Sequence, residues 1–108
     1  MSLYHLLIYV PLSHADAVRK ALAESGAGNI GNYDSCSFSA KGIGRFRPLK
    51  GANPHIGLEG RIEEVEEERI EVVVEEDKLS NVIGAIKKVH PYEEPAMHLW
   101  KMEDCKNW

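Results

Sequence analysis

The chain has 108 residues and a mass of 12.1 kDa, room for one domain spanning 1–108 and one core, but not for a catalytic domain beside a separate binding domain. With 44% apolar and 28% charged residues the composition is globular, which excludes disordered and fibrous classes. Thirteen Lys plus Arg against seventeen Asp plus Glu leave a net charge of -4, so a sequence-blind grip on nucleic acid is not expected.

Leu3 to Val10 is an apolar and aromatic run closed by Pro11, the pattern of a buried central strand. Its wholly apolar part, Leu6 to Val10, falls far short of the roughly 20 residues of a membrane span, and no basic segment precedes it as in a secretory leader. No membrane partner and a cytoplasmic location are therefore expected. Ser13 as N-cap, with Asp16 three residues on, predicts a helix from His14 to Ser25 that Gly26 ends. Gly26 to Asp34 reads as a loop, and the alternation from Ser35 to Ala40 as a second strand. From Lys41 to Gly60, five glycines and two prolines surround Phe46, Leu49, Ile56 and Leu58, which predicts an ordered excursion between strands.

Arg61 to Glu76 fits either a helix or strands, and the alternation of Ile70, Val72 and Val74 favours a strand over Arg69 to Glu75, with Ile62 to Val65 as its hairpin partner. Asp77 as a cap and the stripe Leu79, Val82, Ile83, Ile86 and Val89 predict a second helix, which Pro91 stops. Ala96 to Met102 reads as the last strand, before a frayed tail from Glu103 to Lys106 that Trp108 anchors. In order this is βαββαβ, an α+β ferredoxin-like fold: an antiparallel sheet, two helices on one face, and an extended hairpin between strands two and three.

That fold hosts many functions, so function rests on residues. Gly42 to Arg47 is not a dinucleotide fingerprint, because Arg47 holds the third glycine position and Pro48 follows where a helix would start. The plainer reading of this stretch is turns with solvated cations; the alternative is a grip on an anion by backbone N–H groups with Arg45, Arg47 and Lys50. His90-Pro91-Tyr92-Glu93-Glu94-Pro95 is stiffened by two prolines. It is either a rigid helix-to-strand connection or part of a site. His90, Glu93 and His98 are the right residue types for a divalent metal but lack any standard zinc spacing. His55, on an irregular loop, keeps more functional weight than His5 or His14. The Glu run from Glu63 to Glu76 reads as a solvated face, and Cys36 and Cys105, 69 positions apart, as free thiols.

The blocks Gly42-Ile43-Gly44-Arg45-Phe46-Arg47-Pro48, Gly51-Ala52-Asn53-Pro54-His55-Ile56-Gly57, Glu68-Arg69-Ile70-Glu71 and His90-Pro91-Tyr92-Glu93-Glu94-Pro95-Ala96 resemble the YqfO-type domain, best known as an insertion in Nif3-like proteins. The resemblance covers residues 3 to 103 and departs at Met97-His98, where that family commonly has Tyr-Asp. It implies a stand-alone homologue of the inserted domain, similar in fold to the CutA and PII trimers, with ligands between subunits. It does not bring along the parent's dinuclear metal site, whose His-His-Pro motif is missing here.

The expectation is a non-enzymatic, self-associating homotrimeric domain that binds a small polar or anionic ligand or a protein partner, with Gly42 to Gly57 and His90 to Pro95 meeting across a subunit boundary and Arg45, His55, His90 and Glu93 on the walls of the cleft between them. The alternative is a divalent-metal binder of the CutA kind, with an enzyme the least favoured reading. No cofactor is expected apart from such a metal.

Overall fold

The apolar run near the start forms β1 (Leu3–Pro11), an inner strand in a computed structural model that describes residues 2–108. On one side β1 pairs with β3 (Glu63–Glu75) and on the other with β4 (Met97–Met102), while β2 (Phe38–Phe46) pairs with the outer side of β3. The order is β2-β3-β1-β4 and every pairing is antiparallel. Leu6, Ile8 and Val10 of β1 and Ile70, Val72 and Val74 of β3 share one face and are buried there by α1 (Leu12–Ser25) and α2 (Leu79–Val89). The helices contribute Ala15, Val18, Leu22, Val82 and Ile86 to this core. Each large aliphatic side chain taken fully out of water stabilises the fold by about 1.5–3 kcal/mol before entropy is counted. The fold is the α+β ferredoxin-like arrangement that the element order predicts.

The other face of the sheet carries no helix. It presents His5, Leu7 and Tyr9 of β1, Glu67, Arg69 and Glu71 of β3, Gly42 and Gly44 of β2, and His98 and Trp100 of β4. His5 lies 2.9 Å from Glu71 Oε1 and its ring centroid 4.9 Å from that of Trp100. Glu63 to Glu66 pair with β2 alone, so the sheet ends in a two-stranded ribbon and the molecule measures 49 × 24 × 23 Å. Among the described residues no helix is long and apolar enough to cross a membrane.

Several local expectations are corrected. β2 runs on through Gly42 and Gly44 to Phe46, so the excursion between strands begins only at Arg47. Neither glycine has a positive φ, and both sit in the ladder opposite Glu67 and Val65. Ile62 to Val65 is not a hairpin partner of Arg69 to Glu75, because β3 is one strand of 13 residues. Three consecutive glutamates between the two halves offer no turn residue, so alternation carries through. Ser13 does not cap α1: Pro11 holds that position without a side-chain bond, Ser13 Oγ lies 2.7 Å from His14 Nδ1, and Asp16 pairs with Arg19 at 2.6 Å. Asp77 is not the cap of α2 but lies in a 3-10 turn, Glu76–Lys78, that leads into it. Trp108 is 92% exposed, so its ring does not anchor the tail, which is held by a 3-10 turn in which Asp104 accepts from the Lys106 N–H at 3.0 Å and the Trp108 N–H donates to the Cys105 carbonyl at 3.1 Å.

Candidate functional site

At the end of the sheet where β1 stops, the 47–62 connection and the 90–96 connection fold toward each other. Glu93 Oε1 accepts the Asn53 N–H at 3.0 Å, and the Tyr92 ring packs against Phe46 at 5.7 Å and His55 at 6.4 Å between centroids. Between them lies a cavity of about 560 Å³, large enough for a small organic molecule. Phe46, Pro48, Leu49, Pro54, Ile56 and Tyr92 make its walls mainly apolar. Arg45, Arg47, His55, Glu93 and Glu94 add charge and hydrogen-bonding capacity.

Of the four residues singled out in the sequence, Arg45, His55 and Glu93 all border this cavity, within a single chain. Arg45 is exposed and meets Glu64 across the ribbon at 3.3 Å. His55 also stands edge-on to His14, 5.8 Å away. His90 does not border the cavity. It is 6% exposed, with Nε2 2.7 Å from the Tyr9 carbonyl and Nδ1 accepting the Tyr92 N–H at 3.2 Å. A neutral ring with its proton on Nε2 satisfies both bonds. Burial lowers its pKa below the usual 6.5, outweighing the opposing pull of the Tyr9 carbonyl. His90 therefore positions Tyr92.

Glu67, read in the sequence as part of a solvated face, meets Tyr92 at the cavity wall. Glu67, in the middle of the glutamate run, is 8% exposed, and its Oε2 accepts the Tyr92 hydroxyl at 2.8 Å. Burial first, then the Glu67 bond, raises the Tyr92 pKa well above its usual 10, so the phenol keeps its proton and donates. Glu67 Oε1 lies over Gly44, where a Cβ would collide with it. A glycine inside a strand marks such a close approach, and that was the signal available in the sequence. Among the described residues no group of three or more His, Cys, Asp or Glu side chains converges as a metal site would require. Cys36 and Cys105 are unpaired.

No family model matches the chain. Curated relatives do: it is 50% identical over 101 residues to a "GTP cyclohydrolase 1 type 2 homolog" of Halalkalibacterium halodurans and 47% identical over 98 residues to that of Bacillus subtilis. These alignments cover 94% and 91% of this chain but 27% and 26% of the relatives, so the chain spans about a quarter of their length. A Bacillus cereus protein related to NIF3 superposes on 95% of the chain, and on 26% of its own, with a TM-score of 0.83 and 40% identity. The chain is a homologue of that shared segment. The resemblance to the domain within Nif3-like proteins, read from four sequence blocks, is thereby shown. Below it lies a likeness of fold alone: CutA from Archaeoglobus fulgidus matches 94% of this chain and 85% of its own, with a TM-score of 0.68 and 22% identity.

Proposed function

We propose that this chain is a small-molecule-binding domain that acts by binding rather than catalysis, with the cavity between the 47–62 and 90–96 connections as its site. The observation that carries the reading is the Glu93 to Asn53 bond, which closes a mainly apolar cavity between two irregular segments longer than strand connection requires. Arg45, Arg47 and His55 supply donors at its walls for a polar or anionic group, Glu93 braces the two segments, and His90 holds Tyr92 in place. We propose further that it works as one domain in the cytoplasm, where its two unpaired thiols stay reduced, and assembles as a homotrimer.

A thermal-shift screen against a panel of small metabolites tests the binding reading. A ligand that binds only the folded state raises the melting temperature with concentration. The double variant Arg45→Ala with His55→Ala should fold and lose that rise. A rise for an anionic compound that persists undiminished in the double variant, or a panel without effect at millimolar concentration, contradicts the reading.

A further inference from the structure

Glu67 is a buried carboxylate without a cation. Among the described residues no Lys, Arg or His lies within salt-bridge distance of it, and its one side-chain hydrogen bond comes from the neutral phenol of Tyr92. The sheet register explains why: Pro11 and Gly42 stand opposite Glu67 on the neighbouring strands, so neither neighbour brings charge. A carboxylate has about four lone-pair positions, and Tyr92 fills one. The more a carboxylate is screened from water, the more it gains from a cation or several donors beside it. The open space beside it includes the cavity, which Glu67 borders, and a smaller cleft lined by Tyr9, Lys41 and Arg69.

Resting on the small-ligand reading above, we propose that Glu67 is the recognition point for a protonated nitrogen, and that the ligand class is a planar organic cation or zwitterion. An amidinium or protonated amino heterocycle would place its N–H donors on the Glu67 carboxylate. Its ring would lie among Phe46, Tyr92 and Pro54, and any anionic substituent would face Arg47 near the mouth. The charges bordering the cavity agree: Arg45 and Arg47 stand against Glu67, Glu93 and Glu94, and Arg45 is already matched by Glu64 outside it. Gly44 completes the site. Any side chain there would displace the carboxylate from its place over the strand. If Glu67 served only to anchor Tyr92, a neutral amide acceptor would do as well, and this difference is what the test exploits.

The test titrates the purified chain with benzamidine and with benzoate, the same ring bearing opposite charge. A probe of this size binds a matched site with Kd of roughly millimolar order. Benzamidine should bind about tenfold more tightly than benzoate, and Glu67→Gln should remove that preference while Tyr92→Phe weakens it. Glu24→Gln, an exposed charge on α1, should leave it unchanged; circular dichroism establishes that each variant is folded. Benzoate binding as well as benzamidine, or a preference that survives Glu67→Gln in folded protein, overturns the proposal. If benzamidine fails but an anionic metabolite is held in the cavity, the role of Glu67 is wrong and the small-ligand reading stands. If neither probe nor any metabolite binds, both fall.

Discussion

Both imidazole nitrogens of His90 are committed, one to the Tyr9 carbonyl and one to the Tyr92 N–H. Protonation would turn the second nitrogen from acceptor to donor and break that bond. Because the folded pKa lies below 6.5, the unfolded chain takes up the proton first, so the contribution of His90 is complete above that pH and lost as pH falls through the folded value. Melting temperatures between about pH 7.5 and 5.5 should therefore decline less steeply in His90→Gln than in the wild type. Gly44 is tested with its partner. Gly44→Ala should cost about 1–2 kcal/mol by forcing Glu67 off the Tyr92 hydroxyl, and almost nothing in a Glu67→Ala background, as read from urea melts in a double-mutant cycle. At this scale the sequence was legible where chemistry is rare: the His90 to Pro95 hexapeptide stood out by its prolines. Glu67 did not, because nothing within a run of identical glutamates distinguishes the one that Tyr92 covers.

Elements were legible where periodicity was unambiguous. β1 and the α2 stripe follow from the apolar pattern alone, since Leu6, Ile8, Val10, Val82 and Ile86 have nowhere else to go. The β2 and β3 ends were not, because glycine in a strand and glutamate in a ladder both run against local propensity, and pairing between distant segments overrides it. The joint between helices and sheet has a polar lock. Arg19 of α1 donates to Glu68 Oε1 of β3 at 2.6 Å, to Ser39 Oγ of β2 at 3.2 Å and to Asp16 at 2.6 Å. Glu68 keeps only 12% of its side chain exposed, so Arg19→Ala leaves a mostly buried carboxylate unpaired. The expected loss is about 2 kcal/mol in chemical denaturation, and Glu68→Gln together with Arg19→Met should recover part of it.

Across the whole molecule, the free edge strand β2 leaves Phe38 at its start 63% exposed and Ile43 in the two-stranded ribbon 50% exposed. An isolated two-stranded ribbon is marginal in water, and an open edge invites pairing with another chain. Light scattering after gel filtration should give about three times the 12.1 kDa chain mass at micromolar concentration, and Ile43→Lys on the edge strand should reduce it toward one chain. A wild-type mass of a single chain would contradict the assembly. Occupancy of the cavity by a small ligand is read from amide chemical-shift mapping of the wild-type chain, titrated with whichever compound gives the largest thermal shift. Saturable shifts confined to Gly44, Arg45, Asn53, His55, Tyr92 and their immediate neighbours are expected, and shifts centred instead on α1 and α2 or on His5, Glu71 and Trp100 at the far end of the open sheet face would contradict ligand binding in the cavity.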